Sequence, residues 1–323
     1  MPDTETVTTV EEAPKKRLSL ETLRPYLPFA GLVLILAFFG VTTHGMILSV
    51  RNLTLMLNNT YMLFIACVGV FMIMTMGSLD FSQGSMLGCA SIVVCVLSQY
   101  NIFIAILGGI LTGALIGAIN AYFFVNRQIA SFIVTNCMMF LLRGVIQFFT
   151  NTPIMGASYL QQDLWNMPLM IAITVAVLAV GYFVFTYTSL GATLKAIGAG
   201  QTAARFAGIK VKKTQALVYI AAGALTGFAA FINCVKVGSV TSQSGMMLET
   251  QILIALVMGG MPISGGAKVR FTNIIVGVLS YRILSQGLVM MGFDTMMQQM
   301  ITGIVFLIVV ALFSDRESIS VIK

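Results

Sequence analysis

The chain alternates long apolar runs with short polar connections. Ten runs read as membrane helices: 27–44, 53–77, 84–98, 102–125, 129–149, 168–188, 214–234, 249–261, 271–291 and 297–313. A spanning helix needs about 20 mostly apolar residues. The run 53–77 is long and leads into a polar turn, while 84–98 and 249–261 are short for a complete span. The pattern predicts an all-α, polytopic membrane fold of about ten transmembrane helices. Residues 27–313 form one membrane domain, flanked by a disordered tail at 1–26 and a short tail at 314–323.

Basic residues orient the spans. With the N-terminus placed inside, fourteen of the 18 Lys and Arg fall in inside segments, two (Arg51 and Lys236) fall outside, and Arg143 and Arg282 fall within spans. Lys and Arg collect in cytoplasmic loops, so the bias predicts that both termini are cytoplasmic. Five spans followed by five would turn the second half upside down relative to the first, as in the inverted repeats of transporters. Gly109, Gly113 and Gly117 share one face of the fourth span, and Gly223 and Gly227 repeat that spacing on the seventh. Small residues at this spacing let helix backbones approach closely in lipid.

Composition agrees. Apolar residues make up 58% of the 323 and charged residues 9%, against about 25% charged in an ordinary soluble domain. Mean hydropathy is +0.96, which excludes a soluble enzyme. The net charge of +7 is accounted for by the inside loops. No basic run is interleaved with exposed aromatics, so no nucleic-acid partner is expected. Cys67, Cys89, Cys95, Cys137 and Cys234 show no CxxC spacing, and His44 has no companion ligand. They read as small buried hydrophobes and an interfacial residue, with no metal site and no catalytic residue.

Four polar segments remain. Gly77-Ser-Leu-Asp80-Phe-Ser82-Gln83-Gly84-Ser85 joins two apolar runs. It reads as a broken helix lining a pathway or as a plain turn with a solvated Asp80, because irregular backbone at membrane depth survives only where protein or water satisfies it. Glu249 opens the eighth span and is either interfacial or a buried acid with a purpose. The inside loop 189–213 is long and basic, with a helix-compatible stretch between Gly200 and Gly208. There Thr202 would cap the helix, Gly208 would end it, and Arg205 and Phe206 would project. Such a helix lies on lipid or docks into a partner protein. The fourth segment, Gly259-Gly-Met-Pro-Ile-Ser264-Gly-Gly266, lacks the Lys-Ser/Thr pair of a phosphate loop. ATP binding by that mechanism is therefore not expected of this chain.

The four segments together resemble the permease subunits of bacterial ABC importers for monosaccharides, of the ribose, xylose and galactose type. Ser78-Leu-Asp-Phe-Ser-Gln-Gly-Ser85 stands where that family has Gly-Leu-Asp-Leu-Ser-Val-Gly-Ser. Ala130-Ser-Phe-Ile-Val-Thr135 with Arg143-Gly144, the loop Ala196–Ile209, and Gly259–Gly266 match three further motifs in order. Gln83 and Thr250 depart from the family pattern, which often carries an Asp just after the position of Glu249.

The resemblance implies a fold similar to vitamin-B12-type importer permeases, with alternating access across a cytoplasmic (inner) bacterial membrane. It implies a second permease copy or paralogue, a cytoplasmic ATPase subunit that binds ATP and Mg, and an extracytoplasmic sugar-binding protein. It makes Gln201, Thr202, Ala203, Ala204, Arg205, Phe206, Ala207 and Gly208 the helix that couples to the ATPase. Asp80, Ser82, Gln83, Ser85, Glu249 and Ser264 become candidates for the translocation pathway. The alternatives are a permease for a sugar-like signal molecule or nucleoside, or an ion-coupled transporter or channel, for which only Asp80 and Glu249 could serve as intramembrane acids.

Overall fold

The structure, a computed structural model, describes residues 26–313, and the side chains of 26–311. The tails expected at 1–26 and 314–323 lie outside these residues, apart from Tyr26. Thirteen helices carry the described chain: α1 (Leu27–Thr42), α2 (Val50–Thr75), α3 (Gln83–Ser98), α4 (Ile102–Ala121), α5 (Ser131–Phe149), α6 (Tyr159–Gln162), α7 (Met167–Tyr187), α8 (Ser189–Ala199), α9 (Gln201–Phe206), α10 (Val211–Val237), α11 (Leu248–Met258), α12 (Thr272–Met290) and α13 (Thr295–Phe313). A π turn at Tyr122–Asn126 prolongs α4, and a two-residue ladder pairs Ile154 with Val240 and Met155 with Ser239.

Among the described residues six helices are long and apolar enough to cross a membrane: α2, α4 with its π turn, α5, α7, α10 and α12; α1, α3, α11 and α13 are shorter apolar helices. Each of the ten apolar runs is a helix, and the chain is an all-α polytopic membrane protein. α10 runs three residues further at each end than the apolar run, because Lys212, Lys213 and Lys236 sit on its terminal turns. Long basic side chains can leave their stems on apolar surface while the charge reaches water.

α2 and α10 pack together at the centre and are the most buried of the six long helices. α3 and α4 lie on one side of this pair, α11 and α12 on the other. α4, α5 and α7 turn most of their surface outward. Their exposed residues include Leu107, Leu111, Phe140 and Val180, which suits a face solvated by lipid.

The two glycine faces meet each other. A methyl group added at Gly113 would collide with the Gly223 carbonyl, and one at Gly227 with the Gly109 carbonyl. α4 and α10 therefore cross with backbone against backbone. A second crossing sets Gly277 of α12 against the Ala255 carbonyl of α11.

The loop expected at 189–213 is largely helical. Thr188 caps α8, its Oγ1 accepting from Leu190 N at 3.3 Å, and Leu194 and Ile197 are buried against the bundle. α9 matches the expected short helix, with one correction. Gly200 stands at its N-cap and no side chain caps it, so Thr202 lies inside the first turn. Gly208, at φ +83°, follows the helix end.

Candidate functional site

Two interruptions shape the bundle. The first, residues 76–82, separates α2 from α3 at the end that carries α8 and α9. The second, residues 238–247, separates α10 from α11 and comes from the opposite end, where the short ladder lies. α11 has 11 residues, or about 16 Å at 1.5 Å per residue, roughly half of a 30 Å hydrocarbon layer. The beginnings of α3 and α11 meet: Gly84 lies against the Gly245 carbonyl and the Glu249 carboxylate. Helix N-termini carry partial positive charge, and two of them converge at this junction.

The first interruption is held by polar bonds. Asp80 is 1% exposed, so the solvated-turn reading does not describe it. Its Oδ1 accepts from Ser82 N at 2.8 Å and from Ser82 Oγ at 2.6 Å, and its Oδ2 accepts from Gln83 Nε2 at 2.7 Å. Ser82 Oγ in turn accepts from Asn120 Nδ2 of α4 at 2.9 Å, and Thr226 Oγ1 of α10 donates to Gln83 Oε1. Ser82, Gln83, Asn120 and Thr226 have no exposed surface. The broken backbone is also satisfied: Phe81 N donates to Thr135 Oγ1 at 3.1 Å, and the Tyr219 hydroxyl donates to the Leu79 carbonyl at 3.3 Å.

The second interruption has its own clamp. Arg143 of α5 donates from one guanidinium nitrogen to the Ser244 carbonyl at 3.0 Å and from the other to the Gly245 carbonyl at 2.8 Å. One half-buried cation thus closes the turn that leads into α11.

The pathway candidates separate into two groups. Asp80, Ser82 and Gln83 form the buried knot. Ser85 and Glu249 are buried nearby, and Ser85 Oγ and Glu249 Oε2 have no hydrogen-bond partner among the described residues. Ser264 stands apart. It is exposed at the α8–α9 end, with its carbonyl against Gly77. Asn120, Thr226 and the Arg143 clamp went unrecognised in the sequence, although each is a polar residue inside an apolar run.

The coupling candidates lie on α9 and just beyond it. Phe206 is 88% exposed, Gln201, Thr202, Ala203, Arg205, Ala207 and Gly208 are exposed, and Ala204 is buried. Behind α9, Gly198 of α8 rests against the Thr75 carbonyl at the end of α2 and against Gly266. Gly266 N donates to that same Thr75 carbonyl at 3.1 Å. Three segments distant in sequence join there through their backbones.

The family described as "Branched-chain amino acid transport system / permease component" matches residues 52–310. The chain belongs to this permease family. Among curated relatives, the ribose import permease protein RbsC of Escherichia coli K12 is 27% identical over 281 residues, covering 83% of this chain and 87% of the relative. The xylose transport system permease protein XylH of Haemophilus influenzae is 23% identical, covering 91% of this chain and 97% of the relative. The XylH protein of E. coli K12 is 24% identical, covering 89% and 91%. No solved structure matches the chain. These relatives are transporter permease subunits, which are not themselves enzymes.

Proposed function

We propose that the chain forms the translocation pathway of an ATP-driven importer and admits a monosaccharide. One observation carries the reading: relatives covering 83–91% of this chain are named as permeases for ribose and for xylose. In this reading the α8–α9 end faces the cytoplasm, both termini with it, and the protein sits in the bacterial inner membrane. Two permease subunits enclose the pathway. A cytoplasmic ATPase binds ATP and magnesium, and an extracytoplasmic binding protein delivers the sugar.

The geometry supports a lever. Arg205 and Phe206 present an exposed charge and ring on a helix of only six residues. Seated in the ATPase, they follow its closure. Displacement of α9 passes through α8 to the junction at Gly198, Thr75 and Gly266, and from there to the interruption that begins at Met76. Asp80, Ser82 and Gln83 act from within the wall by fixing the shape of that interruption. Ser85, Glu249 and Ser264 remain the candidates for polar contacts along the route, and a neutral sugar asks for no charged filter there.

The test is the composition of the complex. The tagged chain, extracted from its host in mild detergent, is expected to bring down an ATPase subunit at about one copy per permease. Intact permease without an ATPase would overturn the reading. The double variant Arg205→Ala/Phe206→Ala is expected to reach the membrane at normal abundance and lose uptake. Labelled ribose and xylose are the first solutes to try, with leucine as competitor because the family description names branched-chain amino acids.

A further inference from the structure

A cleft of about 1000 Å³ opens between α9, the π turn that ends α4, the start of α5 and the first turns of α10. Arg205, Lys210, Lys212 and Lys213 line it, and no acid among the described residues does. Gln215 lines it too. That side chain is 5% exposed, and its Nε2 has no acceptor among the described residues. Leaving a buried amide donor without an acceptor is costly, so the site is incomplete as the described residues present it. Gln128, at φ +56°, forms part of the opposite wall.

The place of the cleft narrows the ligand. It lies where three apolar helices end, and exposed apolar side chains flank it, Phe123 on α4's π turn and Leu217 on α10. Cations gathered in a concavity focus field and recruit anions. Arg and Lys recognise phosphate oxygens through charge-assisted hydrogen bonds, to which a neutral amide donor adds. We infer that this cleft is a phosphate-binding site, and that its occupant is the headgroup of an anionic phospholipid inserted beside α10. Basic pockets among membrane helices are suited to such headgroups. The site touches α9 through Arg205, so its occupant would hold α9 against α10. The inference uses a single chain and does not rest on the importer reading.

The test uses the purified full chain in maltoside micelles doped with dioleoylphosphatidylglycerol or, as the neutral control, dioleoylphosphatidylcholine. Thermal unfolding is followed in each. Phosphatidylglycerol is expected to raise the midpoint by about 4 °C over phosphatidylcholine, as saturation of a site that binds only the folded state would. Lys212→Gln/Lys213→Gln and Gln215→Met are each expected to abolish that difference, the first keeping the phosphatidylcholine midpoint and the second keeping or raising it, since it removes a buried donor without an acceptor. Lys268→Gln/Arg270→Gln removes two charges from exposed positions outside the cleft and is expected to keep it.

Inorganic phosphate, compared with chloride at equal ionic strength, separates the sources. A shift with phosphate alone, lost in the Lys212/Lys213 variant, would assign the site to a soluble phosphate and overturn the lipid assignment. Equal midpoints in every condition would overturn the site. So would a phosphatidylglycerol effect that both double variants weaken equally, since that is surface attraction. A shift produced only by adding an ATPase subunit would assign the cations to protein carboxylates and overturn the inference.

Discussion

Asp80 offers the sharpest test of what the buried knot does. In the structure it is an acceptor of three hydrogen bonds, from Ser82 N, Ser82 Oγ and Gln83 Nε2. Asp80→Ala removes all three. Ser82 N and Gln83 Nε2 are then left as buried donors, at about 1–3 kcal/mol each, or about 2–6 kcal/mol in all. That is a large part of the roughly 5–15 kcal/mol by which folded proteins typically exceed their unfolded states. Asp80→Asn keeps the shape. Its remaining oxygen still accepts from Ser82. Its new amide donates to Gln83 once that side chain turns over, and the Gln83 nitrogen then donates to Thr226 Oγ1, the present partner of Gln83 Oε1. Every bond is remade as a neutral one, at a cost of about 1 kcal/mol. Membrane abundance and detergent-solubilised melting should therefore fall steeply for the alanine variant and little for the asparagine variant. Sugar uptake per folded molecule should persist with Asn. An Asn variant that folds well but has lost all uptake would refute the structural role and favour an acid that carries a proton or an ion.

Other expectations follow from the same contacts. Gly113→Leu forces a side chain into the Gly223 carbonyl; overpacking of this kind costs about 1–3 kcal/mol or more. Monodisperse protein on size-exclusion chromatography should be lost, while Gly144→Ala, with open space at its Cβ, should match wild type. Arg143→Met releases both carbonyls of the 238–247 turn. A cysteine at Ser244, in a background without the native cysteines, should then react faster with a maleimide, and Arg143→Lys, with one point donor, should fall between. Sided labelling checks orientation. A membrane-impermeant maleimide should reach a cysteine at Arg51 in intact cells and one at Lys212 only after permeabilisation.

The helices were legible because lipid imposes a simple rule, long apolar runs, and the described chain obeys it at all ten places. Both glycine faces were legible too, but not that they face each other, since the pairing of Gly113 with Gly223 depends on how α4 and α10 come together. α8 was read as loop because Gly191 and Gly198 dilute its helical pattern. Those glycines are present for close approach, to the Phe185 and Thr75 carbonyls respectively. The polar break showed in the sequence around Asp80. Its partners did not, because Asn120 and Thr226 lie 38 and 143 residues from the side chains they bind. A lone Asn or Thr inside an apolar run gives no hint of which helix it addresses.

The junction of Gly198, Thr75 and Gly266 bears on how such a protein diversifies. Its contacts are made by main-chain atoms, so substitution elsewhere on these segments leaves them unchanged. In the proposed lever, the surfaces that meet a cargo are free to drift while this joint keeps its form. On that view a chimaera that exchanges pathway-facing side chains should change what is carried and leave the drive intact.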